Sequence, residues 1–360
     1  MPETSTTSPA AGPEQQQALA PADHGDAPAR VRAPLASVLD LMARACRAAS
    51  VPAAAVQDVA AHFLEGELRG KPSHGVAKFC FESRLFSLRQ GPPRIVRQHG
   101  VLAVVDARRE IGPLSAAYAV DVALERARQQ GAGVIGVINS QRYGILAPFS
   151  ERIAEAGCIG IVANTSRAEA VAPGGRTPVL GVNPLAFAVP TGGEPLSVDM
   201  STTLAPMGTL WEARRSGSPL PPDCFVDGHG GFTQDADAAA AAVVFGGHRG
   251  FAVSLLVQIL TGALFQFPMG AEVDSTWRTG YTFLAFDPSM GGLAPGGEES
   301  TARLVRELRA AAARDGGAWR LPGESGRERA RRARATGVIN LDAAVHSRLA
   351  ARANGDFATD

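Results

Sequence analysis

Gly131-Ala132-Gly133-Val134-Ile135-Gly136 matches the pattern GxGxxG letter by letter, and its reading decides the fold. In a dinucleotide-binding turn the glycines follow a strand and open a helix, so that the helix N-terminus meets the pyrophosphate. Here the order is reversed. A helical pattern over residues 114–130 comes first, and an apolar strand over 134–138 follows. Gly131 is therefore read as the C-cap of a helix. The segment predicts a helix-to-strand connection and argues against a Rossmann turn.

The same alternation extends outward in both directions. Upstream, residues 101–106 form a short apolar strand, and Ile111-Gly112-Pro113 punctuates the chain before the helix. Downstream come a loop, a helix over 147–156 and a strand over 159–163. Further strand is expected at 179–190 and 196–200, an apolar helix at 251–265 and a buried strand at 281–286. Residues 212–247, dense in Gly, Pro, Ala and Asp, read as loop. This alternation marks an α/β layer. Residues 34–66 carry Leu35, Val38, Leu39 and Met42 at helical spacing and predict two helices around Ser50-Val51-Pro52. Charged helices follow at 301–314 and 324–335, the second studded with arginine and read as a solvated face. Residues 1–30 hold almost no large apolar side chains, cannot offset their ordering entropy and read as a disordered tail. The domain reading is thus a helical domain from 31–112 and 296–360, for substrate and dimerisation, and an α/β cofactor-binding domain from 113–295.

The 360 residues are 45% apolar and 19% charged, enough to bury a sizeable core. Net charge is zero, without the basic excess of a nucleic-acid binder. No uninterrupted apolar run reaches about 18 residues and no secretory leader pattern is visible, so no membrane partner is expected. Cys46, Cys80, Cys158 and Cys224 lie far apart without a CxxC pair. They read as buried thiols of a cytoplasmic protein, and no metal site is expected.

The segment Leu68-Arg69-Gly70-Lys71-Pro72-Ser73-His74-Gly75-Val76-Ala77-Lys78 contains both lysines of the chain. His trades a proton near neutral pH, and the pKa of a lysine moves readily on desolvation. An imidazole between two ammonium groups suits a small anionic substrate that gains or loses a proton. A capped helix end with a packed histidine is the plainer alternative. Further polar islands interrupt the apolar strands, where α/β proteins place ligand groups. They are Asn139-Ser140-Gln141-Arg142-Tyr143-Gly144, Pro173-Gly174-Gly175, Gly181-Val182-Asn183-Pro184, Asp199-Met200-Ser201-Thr202-Thr203 and Gly246-Gly247-His248-Arg249-Gly250.

Together with Ser73-His74-Gly75-Val76, these islands resemble, in order, the malate/L-lactate dehydrogenase family of the non-Rossmann type, over residues 35–345. The resemblance implies a non-Rossmann nicotinamide-binding α/β fold with a mostly helical second domain, a homodimer, and NADH or NADPH as cofactor. It implies hydride transfer at the carbon next to a carboxylate, in a 2-oxo acid or a cyclic imino acid. His74 matches the family's proton donor or substrate ligand, with Ser73 and Lys71 beside it as catalytic candidates. Lys78, Arg142 and Asn183 are substrate-binding candidates. Asp199, Ser201 and Thr203 match a cofactor-binding strand end, His248 and Arg249 a cofactor contact, and Pro322-Gly323-Glu324 a late turn that touches the cofactor. Hydroxyls and an aspartate can hold ribose and phosphate oxygens, and Arg249 can bind phosphate through charge-assisted hydrogen bonds. The plainer alternatives are a helix N-cap box at Asp199 and a surface ion pair at Arg249.

The chain departs from the family in its substrate pocket. Arg142 stands where the family usually has a histidine acid/base, and an arginine keeps its proton. Lys78 replaces an arginine, Thr209 a common lysine, and Lys71-Pro72 a His-Asp pair. A ketone needs a proton as hydride arrives, whereas a protonated cyclic imine already carries one. The loss of one histidine therefore favours imino-acid reduction over 2-oxo-acid reduction, probed by their relative turnover with NADPH. The same substitutions leave room for non-redox chemistry on the scaffold, as an isomerase, lyase or cyclase, or for a binding role.

Overall fold

The computed structural model describes residues 29–289, 297–317 and 319–358. The expected tail falls almost wholly outside them, save that Arg30 already belongs to a strand. The chain opens with β1 (Arg30–Pro34), α1 (Leu35–Ala48), α2 (Val56–Leu68), α3 (Val76–Glu82), β2 (Arg94–His99) and β3 (Leu102–Asp106). It continues through α4 (Gly112–Gln130), β4 (Ala132–Ile138), α5 (Ala147–Glu155), β5 (Ile159–Asn164), β6 (Ala170–Val171), β7 (Pro178–Leu180), β8 (Leu185–Val189) and β9 (Leu196–Met200). It closes with α6 (Met207–Ser216), β10 (Phe225–Asp227), β11 (Ala239–Val243), α7 (His248–Thr261), β12 (Tyr281–Phe286), α8 (Gly297–Arg314), α9 (Glu324–Thr336), β13 (Val338–Asp342) and α10 (Ala343–Ala353).

The central sheet has seven strands in the order β2-β3-β4-β12-β5-β8-β9. Only β3 and β4 run parallel; every other neighbouring pair is antiparallel. A doubly wound dinucleotide fold is built on a mostly parallel sheet, so the GxGxxG string is not a Rossmann turn. α4 ends at Gly131, whose φ of 82° closes the helix in the left-handed region that glycine enters freely. The remaining glycines of the string lie inside β4 and serve packing. A Cβ at Gly133 would stand 2.2 Å from the Ala123 carbonyl of α4, and one at Gly136 would strike the Phe265 ring at 2.5 Å. Close helix-on-strand and ring-on-strand contact produced a cofactor motif by coincidence.

Two strands of the sheet, β2 and β3, come from the segment assigned to the helical domain, so the α/β layer reaches back to Arg94. The expected strand over 179–190 is broken. β7 joins a second sheet of four strands, β10-β11-β6-β7, while β8 joins the central one. Asn183, with φ of 36°, turns the chain between them. The segment read as loop contains β10, which is only three residues long, and β11, whose run of alanines shows no alternation of polar and apolar residues.

α1, α2, α3 and α10 bury one core together with the β1–β13 ribbon. The expected helical spacing is seen in α1, where Val38 and Met42 point inward and Leu35 and Leu39 pack at the margin. A second core lies between the sheet and α4 and α5. α9 is less solvated than its composition suggests. Arg327 is only 11% exposed and reaches Glu151 of α5, while Arg69, which ends α2, grips the same Glu151 through two hydrogen bonds of 2.8 and 2.7 Å. One buried carboxylate therefore ties three helices, through paired contacts that suit arginine's planar fork. α7 with the residues after it, His248–Phe265, is apolar enough in composition to cross a membrane. One face of α7 nevertheless packs on β5 and β12 and buries the polar Ser254 and Gln258.

His62 marks the seam between the two cores. Its ring stacks on Phe149 at 4.8 Å and its Nε2–H donates to the Tyr143 carbonyl at 2.5 Å. Burial, opposed by that hydrogen bond, lowers its pKa from 6.5 to about 4. An unfolded chain takes up this proton first as the pH falls, so the contribution is complete above pH 6.5 and lost between 6.5 and 4. Its full size is on the order of 3 kcal/mol. Thermal unfolding should show the melting temperature falling across that window, and His62→Gln should flatten the slope.

Candidate active site

Asp199, near the end of β9, is the junction of the site. Its Oδ2 accepts the backbone N–H groups of Leu146 and Ala147, both at 3.1 Å, and so caps the N-terminus of α5. The same oxygen lies 3.2 Å from Lys71 Nζ, which also donates to the Asp199 carbonyl at 3.0 Å. Asp199 thus caps a helix other than the one that follows it in sequence. It fastens the Ser73–His74 segment and the loop of Arg142 to one strand end, all three contacts falling on the single oxygen Oδ2.

Three of the expected cofactor islands converge beside it. Thr203 forms a bridge with Val244, and Phe245 N–H donates to the Thr202 carbonyl at 3.1 Å, so the Gly246–Arg249 loop runs along the strand end. Gly323, before α9, packs against the Ser197 carbonyl of β9. His248 and Arg249 are exposed at the start of α7, behind Gly246 and Gly247, each with φ of 58°. The Arg249 guanidinium has no hydrogen-bond or ion-pair partner among the described residues. A basic side chain at a helix N-terminus offers phosphate both charge and free N–H groups.

A cavity of about 300 Å³ opens between α3, α6 and α10. Ser73, Lys78, Phe81, Arg142, Trp211 and Val345 lie on its wall. Lys78 Nζ stands 3.1 Å from Oε1 of Glu82, a fully buried carboxylate. The second oxygen of Glu82 accepts the Arg142 backbone N–H at 3.4 Å. Glu82 therefore positions both cations, while the Arg142 guanidinium keeps no hydrogen-bond partner among the described residues. Burial pushes the Lys78 pKa down, Glu82 raises it and Arg142 lowers it further.

Several expected site residues do other work. Asn183 is fully buried, and its Nδ2 donates to the Ser254 carbonyl and hydroxyl, both at 3.1 Å, and to Gln258 Oε1 at 3.0 Å. It anchors α7 to the β7–β8 turn and does not line the cavity. Thr203 points inward, its hydroxyl donating to the Ala205 carbonyl at 2.9 Å, and Ser201 Oγ donates to the Thr203 carbonyl at 3.2 Å. These hydroxyls shape the turn. Glu324 accepts the Leu321 N–H at 3.1 Å and pairs with Arg309 at 3.1 Å. Lys71 is committed to Asp199 and lies off the cavity wall. His74 is half-buried, with Nδ1 3.0 Å from the Ser73 hydroxyl. Burial, with Lys78 adding to it, lowers its pKa to about 4, so its imidazole is neutral near pH 7.

The model of the malate/L-lactate dehydrogenase family matches residues 34–350. The chain belongs to that family. It is 32% identical over 288 residues to a Δ1-pyrroline-2-carboxylate reductase of Burkholderia ambifaria, covering 76% of this chain and 83% of that protein. It is 30% identical over 263 residues to a (2R)-3-sulfolactate dehydrogenase (NADP(+)) of Chromohalobacter salexigens, covering 69% and 79% of the two chains. Among solved structures it resembles the Δ1-piperideine-2-carboxylate reductase of Pseudomonas syringae with a TM-score of 0.76 and 26% identity, over 89% of this chain and 99% of that one.

As a member of this family the protein is an NAD(P)-dependent dehydrogenase or reductase, and its α/β fold is the non-Rossmann one of the family. The residues present fit the cofactor. The exposed Arg249 guanidinium at the start of α7 supplies donors for phosphate that no group among the described residues uses, and the left-handed turn at Gly323 brings a neighbouring surface to β9. When bound, the reduced nicotinamide supplies hydride. Sequence reading missed Glu82 as the partner of both cations, although its (i, i+4) spacing from Lys78 was available. It also missed Glu67, whose Oε2 caps Val76 N–H at 3.0 Å, and Trp211, because neither sits in a polar island.

Asp199→Asn keeps the shape but removes the charge opposite Lys71 and weakens the cap of α5. The expected loss is about 1–3 kcal/mol, a drop of several degrees in thermal melting. A variant that melts like the wild type and loses only NAD(P)H affinity would show instead that Asp199 is a free ribose acceptor.

Proposed function

We propose that this oxidoreductase delivers hydride to the carbon alpha to a carboxylate, with cyclic imino acids preferred to 2-oxo acids, in a biosynthetic pathway. The carrying observation is Arg142 on the cavity wall, with no protonated imidazole beside it. Its unpartnered guanidinium offers a fork for the substrate carboxylate. Lys78, held by Glu82, adds a second positive charge. A cyclic imine that arrives protonated asks for orientation and charge neutralisation more than for an acid. The relative from Burkholderia ambifaria, named for pyrroline-2-carboxylate, supports this reading. Turnover of piperideine- or pyrroline-2-carboxylate with NADPH, followed by nicotinamide absorbance, should exceed that of pyruvate and oxaloacetate. The opposite ranking rejects the preference, and product formed without cofactor oxidation rejects hydride transfer.

We also propose a homodimer of the cytoplasm. Leu255, Leu256 and Ile259 stand exposed on the face of α7 opposite the sheet. An apolar stripe of this kind marks an interaction surface. A second copy of this chain fits the near-neutral overall charge, which opposes self-association little. The four cysteines are free and buried, in keeping with a reducing compartment. Leu256→Asp with Ile259→Asp should give a folded monomer by light scattering, whereas a monomeric wild type would overturn the dimer.

A further inference from the structure

We propose that Lys78 is the proton donor of this site in 2-oxo-acid reduction, its ammonium protonating the carbonyl oxygen as hydride reaches the carbon bonded to it. The inference rests on the hydride-transfer reading and deepens it, because it lets a pocket without an acid histidine also take 2-oxo acids.

The other groups near the cavity are committed elsewhere or keep their protons. The arginines on its wall do not titrate. Glu67 caps the start of α3 through Val76 N–H at 3.0 Å. Asp342 caps α10 through the N–H groups of Ala344 and Val345, at 2.8 and 3.2 Å. Glu212 is exposed at the mouth. His74 is off the wall and neutral near pH 7, and Lys71 is bound to Asp199. Lys78 combines a place on the wall, a proton to give and a position fixed by a buried carboxylate, whereas Glu67, its carboxyl pushed up by burial, accepts the Val76 N–H. The Lys78 Nζ is 3.1 Å from Glu82 Oε1, and its side chain is 11% exposed. Glu82 also holds the Arg142 backbone at 3.4 Å, so donor and carboxylate fork are set by one buried group.

The groups facing Lys78 are Glu82 on its own helix, Arg142 after β4, Glu169 before β6 and His74 before α3. Glu212, Arg215 and Arg348 stand across the cavity. Burial and Arg142 weaken the hold of the amine on its proton, while Glu82 opposes them. A lysine so placed is a better acid than one in water. In ketone reduction the carbonyl carbon receives hydride with its electron pair from the reduced nicotinamide. The C=O π pair moves to oxygen, which takes the proton from Nζ and becomes hydroxyl. Lys78 is left as a neutral amine and regains a proton from solvent through the cavity. An iminium substrate brings its own proton and uses Lys78 only as charge.

Lys78→Arg keeps the charge and the Glu82 partner but cannot donate. The expected result is a fall of about 100-fold in 2-oxo-acid kcat relative to iminium kcat, with little change in KM. Lys78→Arg with Arg142→His should recover 2-oxo-acid turnover, its pH limb moved to the histidine range. A second readout needs no turnover. Because Lys71 and Lys78 are the only lysines, ε-carbon labelling of lysine gives two NMR signals, assigned with Lys71→Arg. The Lys78 signal should titrate below the ordinary lysine range, at the pH of the limb in wild-type ketone turnover. Equal loss on both substrate classes, no loss on either, or an unshifted Lys78 titration overturns the proposal. If Lys78→Arg fails to fold, the wild-type titration and its match to the limb decide. A wild type that oxidises NADPH with neither class overturns the hydride-transfer reading itself.

Discussion

The Asp199 carboxylate is the interaction on which the site depends. One side chain closes the N-terminus of α5, binds Lys71 and ends β9. Each partner alone would be worth little at a surface. Here the carboxylate is only 12% exposed, and the ammonium and two backbone N–H groups replace the water it loses. The consequence is geometric. The helical layer contributes Ser73 and His74, the sheet contributes the cofactor-side strand, and the loop of Arg142 enters α5 through the same carboxylate. A shift in any of the three would strand a buried charge, so they are held in mutual register.

A second carboxylate, Glu82, performs the matching task at the substrate end. It is fully buried, faces Lys78 and receives the Arg142 N–H. The pocket thereby keeps one cation neutralised in place and leaves the other guanidinium free for an anion. The neighbouring imidazole of His74 pays for this arrangement in proton affinity, because burial and the Lys78 charge both oppose its protonation. Acid–base capacity has moved from imidazole toward amine, and that follows from which groups are desolvated together.

The sequence was informative where one element carries its own pattern. Gly131 as a helix end, β4 after it, α1 with Val38 and Met42 inward, and β12 as a buried strand are all local signals. It was misleading where a residue answers to something distant. Asn183 looks like a ligand group in a polar turn, yet it bonds Ser254 and Gln258, more than seventy positions away in the chain. The arginines of α9 look solvated, yet Arg327 finds Glu151 of α5. Strand pairing was equally silent: a short apolar run does not say which sheet it joins, which is why β7 and β8 were read as one strand.

The same distinction explains which parts of the site could be read early. The Gly246–Arg249 turn presents exposed donors at a helix start, a property of a few consecutive residues. The chemistry of the substrate end depends on how three separate segments share two buried carboxylates. Lys78 carries the same side chain in any context, but its proton is transferable only because α3 buries it, Glu82 fixes it and Arg142 stands close by. A family pattern that records residue types alone therefore registers Arg142 as the loss of an acid. The proposed proton transfer instead takes its basis from packing, because Lys78 stands on the cavity wall held by a buried carboxylate.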